Sequence, residues 1–374
     1  MNLQSNRKIP PIYFENLDAL RFLAAFSVFI FHFFRDIRAF YPSLEGSKIF
    51  KAVTIVTDKG GLGVNFFFVL SGFLITYLIL HERKHRGHFS LWRFLVRRTL
   101  RIWPLYFIIV LIGFVIFPLV FADYHTVHNP LNYVFFLANF DEIWYGAKDS
   151  INFLTSPWSV AVEEQFYLFW GIVLFLLFRF KFFKIEYLII LLYIGSFAFV
   201  WMYKEDPRVI YYHTFSVCQD ILTGALIGVL MFRQSIVVDL IQRLPKVLVI
   251  ATYILGIMLC IGKNKIFIGQ GIVIERFFLS CFFAFVILDQ VGGKNSFFKF
   301  GKVGIFNEFG KISYGFYLYH LVVMFLLVKL IEFYGVTGYQ MIPTYFVLSF
   351  VFTIIISKLS YHFIESKFLN LKPK

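Results

Sequence analysis

The first long apolar stretch of the chain, beginning at Leu17, carries Asp18, Arg21 and His32. On a helix these three side chains fall within about 60° of one another. Arg21 and His32 then lie about 16 Å apart along the axis. One helix face would present a cation near one membrane surface and an imidazole near the other. A charged group in a span costs about 2.5–3.5 kcal/mol on insertion scales, so each is a candidate functional residue. A cation suits an anionic ligand, and an imidazole can take a proton from a hydroxyl. The plainer alternatives are an i,i+3 ion pair for Asp18 and Arg21, and a histidine held by a backbone carbonyl for His32.

Other polar groups recur at matching depths. The stretch Thr155-Ser-Pro-Trp-Ser-Val-Ala-Val-Glu-Glu-Gln-Phe-Tyr167 puts Glu163 and Glu164 one to two turns into another span. Depth alone brings Glu163 level with His32, where a carboxylate would fix the imidazole tautomer and raise its basicity. Asp220 and Glu275, near the same ends of their helices, are further candidate partners. Arg93, Arg97 and Arg101 recur every four residues, with Arg98 and Arg101 an i,i+3 pair. Planar guanidinium groups bind phosphate bidentately, although topology or lipid headgroups would also explain such a cluster. Gly63-Val-Asn-Phe-Phe-Phe-Val-Leu-Ser-Gly-Phe-Leu-Ile75 holds Asn65 and the Ser71-Gly72 pair, small residues suited to close helix packing. Ser313, Tyr317 and His320 share one face of a late helix.

The elements that must position these groups follow from composition. Of 374 residues, 59% are hydrophobic and only 16% charged, with 53 phenylalanines and mean hydropathy +0.74. That excludes a soluble enzyme, a disordered chain and a fibrous one, and it predicts an all-α, polytopic integral membrane protein. A span needs about 20 apolar residues. Ten are expected: Leu17–Phe34, Gly61–Leu80, Leu100–Phe121, Trp158–Phe178, Ile185–Met202, Phe215–Phe232, Val247–Gly262, Ile272–Leu288, Ile312–Ile331 and Ile342–Ile364. Pro104 and Pro118 are expected to break the third, and the seventh is short. Leu131–Phe140 is too short to span and reads as re-entrant or interfacial.

Lysine and arginine exceed the acids by 36 to 22. With both termini cytoplasmic, inside segments carry 22 cations and outside segments 10, the direction the positive-inside rule favours. Five of the 10 crowd the first outside loop, the least comfortable part of that arrangement. The polar N-terminal segment suggests no cleavable leader. Cys218, Cys260 and Cys281 lie apart in apolar stretches, which argues against a disulfide framework, and no His/Asp/Glu set has metal-ligand spacing. A single membrane domain over residues 1–374, with its core at about 16–363 and no separate soluble domain, is expected.

Five segments in order resemble the membrane-bound acyltransferase family 3, bacterial O-acyltransferases that modify cell-surface glycans and some small molecules. They are Leu17-Asp-Ala-Leu-Arg-Phe-Leu-Ala-Ala25 with Arg21 and His32, the Gly63–Ile75 stretch, Arg97-Arg-Thr-Leu-Arg-Ile-Trp-Pro-Leu-Tyr106, Trp158–Tyr167 and Ser313-Tyr-Gly-Phe-Tyr-Leu-Tyr-His320. The resemblance implies an O-acetyltransferase of the bacterial inner (cytoplasmic) membrane. It would take an acyl group from cytoplasmic acetyl-CoA, or another acyl-CoA, to a hydroxyl of an extracytoplasmic glycan or lipid-linked sugar. It further implies that Arg97, Arg98 and Arg101 hold the donor phosphates with Arg21 further in. His32 would be the catalytic base or acyl carrier and Glu163 its helper. Asp18, Ser71, Tyr317 and His320 would border the substrate path. Unlike in some members of that family, no fused extracytoplasmic hydrolase-like domain is expected within residues 1–374. Acceptor specificity is expected in the 122–157 loop, through His125, His128, Asn139, Asp141 and Trp144.

A transporter or lipid flippase is the rival reading, since ten spans with intramembrane charges are equally at home there. Against it, no inverted repeat is visible. Binding and consumption of labelled acetyl-CoA would separate the two.

Overall fold

Backbone amides that enter hydrocarbon must find partners within their own segment, so apolar runs of this length fold as helices. The computed structural model describes residues 12–146, 153–180, 184–335 and 338–373. Among them ten helices are long and apolar enough to cross a membrane, and no strand occurs. They are α1 (Glu15–Phe40), α2 (Leu62–Arg86), α3 (Leu91–Leu111), α4 (Pro157–Phe180), α5 (Ile185–Met202), α6 (Thr214–Phe232), α7 (Lys246–Ile266), α8 (Ile272–Gly292), α9 (Ser313–Phe333) and α10 (Met341–Ser360).

Each expected span has its helix, but several boundaries move. α1 continues past the expected end at Phe34 through Arg35, Asp36 and Arg38. α3 begins at Leu91, where Ser90 caps it by accepting a hydrogen bond from the Arg93 amide, so the whole arginine cluster is helical. Pro104 lies inside α3 without ending it, as neighbouring helices permit in membrane bundles. A π-helical turn at Ile112–Ile116 leads into a last turn, Phe117–Val120, that opens with Pro118. Past α10 the chain stays helical through a π turn (Tyr361–Glu365) and Ser366–Asn370. The expected Leu131–Phe140 segment divides into Pro130–Val134 and Ala138–Tyr145. Phe136 between them has φ 55°, and its carbonyl accepts from Gln165 Nε2 at 2.6 Å.

Burial separates central from peripheral helices. The most apolar windows of the spans containing α2, α6 and α9 are 67% buried, whereas that of α7 is only 11% buried. α2 and α6 approach most closely through glycine. A Cβ on Gly72 would meet the Ile221 carbonyl oxygen at 1.9 Å, and one on Gly224 would meet that of Val69 at 1.9 Å. This is the small-residue packing that membrane helices use in place of a hydrophobic drive. Ile12, Tyr13 and Lys372 line one cavity together, so both described chain ends lie at one end of the bundle, here the terminal end. The 122–146 segment follows α3 at the opposite end, the loop end.

Candidate active site

A cavity of about 410 Å³ opens at the terminal end among α1, α2, α3, α4, α9 and the final helical turns. Five cations line it: Arg21, Arg98, Arg101, Lys311 and Lys372. Arg21 is bonded to Asp18, the plainer i,i+3 alternative, and Lys311 donates to Glu308 at 2.7 Å. Arg98 and Arg101 have no carboxylate within ion-pair reach among the described residues. The Arg98 guanidinium lies 5.7 Å from the Phe94 ring centre and 5.8 Å from that of Tyr167, and its Nε is buried without a partner. Two guanidinium groups at the cavity wall without an ion pair of their own are of a kind that can hold a phosphate.

Deeper in, α4 supplies one wall. Ser159, Glu163 and Tyr167 follow at four-residue steps, so they stack along one face. Ser71 Oγ donates to Glu163 Oε1 at 2.9 Å and the Tyr167 hydroxyl to Oε2 at 2.8 Å. Next along, the Ser159 and Tyr317 hydroxyls lie 2.7 Å apart. Tyr317 then joins the cavity to two buried histidines. Its carbonyl oxygen accepts from His320 Nδ1 at 2.6 Å, and His320 Nε2 lies 2.8 Å from His32 Nδ1. The carbonyl can only accept, so His320 carries its proton on Nδ1. In the neutral ring Nε2 is then an acceptor, and it takes the proton on His32 Nδ1. That leaves His32 Nε2 with a free lone pair. The arrangement fixes the tautomer of one imidazole through a second that is itself held by the backbone, and the free lone pair is one that can accept a proton.

The structure therefore gives His32 a different partner from the expected one. Glu163 is spent on Ser71 and Tyr167, whose hydroxyls satisfy both of its oxygens, and His32 turns to α9 instead. Asp220 is taken by Arg276 Nη1 at 2.8 Å and Asn65 Nδ2 at 2.8 Å, and Glu275 by Lys263 at 2.6 Å, so neither reaches His32. Arg97 also departs from the expectation. It donates to Glu82 Oε2 at 2.5 Å and is not among the residues lining the cavity. Positions 97 and 98 face about 100° apart on α3, so only one can look inward.

The expected acceptor loop is corrected in part. Asp141 accepts from His128, from the Asn129 amide at 3.1 Å and from Asn132 Nδ2 at 2.6 Å. Asn139 donates to the Tyr212 carbonyl and Thr214 Oγ1, both at 3.1 Å. His128, Asn139 and Asp141 are buried, so they brace the loop rather than face a ligand, while His125 and Trp144 stay exposed. Residues 147–152 of that loop lie outside the described residues.

Sequence reasoning missed the chain's end. Tyr361, Glu365, Leu369 and Lys372 close one side of the cavity. Burial, with Arg101, Arg98 and Arg97 close by, pushes the Lys372 ammonium down to about 7. The only signal was a basic tail, indistinguishable by composition from topology charge. Among the described residues no group of three or more His, Cys, Asp or Glu is placed to hold a metal ion.

Comparison with known proteins adds a family. A family model described as an acyltransferase domain matches residues 14–362. A Staphylococcus aureus (strain COL) protein, provisionally named an O-acetyltransferase, is 28% identical over 389 residues, covering 96% of this chain and 59% of its own length. O-acetyltransferase OatA of Staphylococcus aureus (strain NCTC 8325 / PS 47) is 27% identical over 355 residues, covering 87% of this chain and 57% of its own length. The chain thus spans less than two thirds of the length of these relatives. No solved structure matches.

Proposed function

The chain belongs to the acyltransferase domain family, and from that premise we propose that it is a multi-pass O-acetyltransferase of a bacterial cytoplasmic membrane. It moves an acetyl group from acetyl-CoA at the terminal end to a hydroxyl of a glycan or lipid-linked sugar at the loop end. One observation carries this reading. The cavity begins at the unpaired Arg98 and Arg101 and runs to Tyr317, the residue whose carbonyl holds the His320–His32 pair.

Arg98 and Arg101, with Arg21 and Lys372, hold the donor phosphates, and the thioester arm extends along the α4 face. Asp18 keeps Arg21 in place. Ser71 and Tyr167, fixed by Glu163, border that passage, as do Ser159 and Tyr317. His32 Nε2 takes the proton of the acceptor hydroxyl while its oxygen bonds to the thioester carbonyl carbon. The carbon–sulfur bond then breaks, the coenzyme leaves as thiolate, and the histidinium proton returns to that sulfur. General-base assistance of this kind contributes about 10²–10⁴ in rate.

The test is purified protein in nanodiscs with labelled acetyl-CoA and a polysaccharide or lipid-linked acceptor. Transfer is expected, and His32→Ala is expected to abolish it while the protein keeps its thermal transition and binds CoA. Retained transfer in that variant overturns the role of His32. Arg98→Ala and Arg101→Ala should each weaken CoA binding about tenfold, the worth of one charge-assisted hydrogen bond. Unchanged binding removes the phosphate clamp. A protein that neither binds nor consumes acetyl-CoA returns the transporter reading.

A further inference from the structure

The loop end holds a second cavity, of about 360 Å³, among α1, α2, α5, α6, α7 and α8. Adjacent residues of α2 divide the two cavities, with Val64 lining the first and Asn65 the second. Phe31, the neighbour of His32, lines the second as well. Its charge is unbalanced. Lys263 is paired with Glu275 at 2.6 Å, Arg276 with Asp220 at 2.8 Å, and Asp58 with Arg38 at 2.9 Å. Lys59 and Lys204 also line it, and neither has a carboxylate within ion-pair reach among the described residues. The Lys204 ammonium lies 4.0 Å from the centre of the Trp201 ring.

A second, independent observation points to a ligand. Gln219 lines this cavity, is 0% exposed, and has no hydrogen-bond partner on either Nε2 or Oε1. Buried amides are otherwise nearly always bonded, and an unpaired one at a cavity wall is a donor–acceptor pair awaiting a guest. Tyr211 adds an aromatic wall, its ring 5.3 Å from that of Trp158, next to the Ser159 that bonds Tyr317. Ammonium groups without an ion pair of their own suit a phosphate. A carboxamide beside an aromatic face suits sugar hydroxyls.

We propose that this second cavity is the acceptor subsite and takes a phosphate-bearing saccharide, with Lys59 and Lys204 on the phosphate and Gln219 on the sugar. The proposal rests on the acyl-transfer reading, since it assigns the acceptor side of the same reaction. Phosphate could reach these lysines on a glycan or on an anionic lipid headgroup. The proximity of Gln219 and Tyr211 to the lysines favours the glycan.

The experiment measures binding by calorimetry to the full chain in phosphatidylcholine nanodiscs, with CoA titrated separately as a control. Glucose 1-phosphate is expected to bind more tightly than either glucose or inorganic phosphate. The double variant Lys59→Gln with Lys204→Gln should weaken it about tenfold, as should Gln219→Leu, with CoA binding unchanged. The lysines are only partly buried, so their variant tests the site even if Gln219→Leu fails to fold. Equal binding of inorganic phosphate overturns the saccharide contact. Loss of glucose 1-phosphate binding when phosphatidylglycerol replaces phosphatidylcholine assigns the site to lipid and overturns the glycan. Intact CoA binding without any glucose 1-phosphate binding overturns this proposal alone, whereas loss of CoA binding in the unaltered protein overturns the acyl-transfer reading beneath it.

Discussion

In the proposed mechanism His32 needs an unprotonated Nε2, and the hydrogen-bond order from the Tyr317 carbonyl through His320 fixes that tautomer. In that mechanism His320 is a positioning residue. His320→Asn keeps an acceptor that His32 Nδ1 can use, whereas His320→Leu keeps none. The leucine variant should lose on the order of 10² in kcat, with KM for acetyl-CoA unchanged, and the asparagine variant should recover part of the loss. A purely structural role would lower both equally and track the melting temperature. Lys372 makes a second prediction at this scale. It is charged below about pH 7 and neutral above, because burial and three arginines press its proton off. CoA affinity should therefore fall as pH rises from 6 to 8.5, by up to about tenfold. Lys372→Arg, charged throughout, should flatten that dependence. Titrations of CoA at the two pH values decide it.

At the scale of elements, the spans were legible because apolar length is a property of sequence alone, and Ile185–Met202 was read with the bounds of α5. What hid were polar helix ends, such as residues 365–370, where hydropathy drops before the helix does. Partners hid too. Helical phase puts Arg21 and His32 on one face of α1, but only the approach of α9 decides that His320, not Glu163, meets His32. Packing through Gly72 was legible as a small residue; its counterpart Gly224 was not. Gly72→Ala or Gly224→Ala would set a methyl against a backbone oxygen that cannot move without parting α2 from α6. Each should cost about 1–3 kcal/mol despite alanine's better helix propensity, and a lowered melting temperature checks it. Gly195→Ala on α5, with nothing within 4 Å, is the neutral control. The 122–146 segment carries a pH dependence. Burial pushes Glu142 up to about 7, reinforced by Asp141 and opposed by His128, Arg35 and a hydrogen bond with Thr155. The folded loop then keeps a proton that an unfolded carboxyl, near 4.5, releases. Stability contributed there is present at low pH and lost as pH rises toward about 7, at most about 3 kcal/mol. Glu142→Gln should remove that loss, read as slower hydrogen exchange in 122–146 at pH 8 and no difference at pH 5.

At the scale of the whole molecule, two cavities open toward opposite ends of the bundle, with the paired histidines near their boundary. A transferase that takes its donor from one compartment and its acceptor from another needs that division. The cation count that first set topology also divides. The five cations between residues 35 and 60, two of them on the last turns of α1, sat poorly with an outside position when counted as topology charge. In the fold Arg38 is paired with Asp58 at 2.9 Å and lies 3.4 Å from Glu45, and Lys59 lines the second cavity. Arg38 and Lys59 thus answer to a local partner and a cavity, and the count of the remaining charges still favours a cytoplasmic terminal end. Single cysteines test that direction in a background with Cys218, Cys260 and Cys281 replaced. Trp144→Cys, at an exposed position of the loop end, should react with a membrane-impermeant maleimide in intact cells, whereas Lys372→Cys should react only after permeabilisation. The reverse pattern would put the arginine mouth outside, away from cytoplasmic acyl-CoA, and would sink the proposed direction of transfer while leaving the fold untouched.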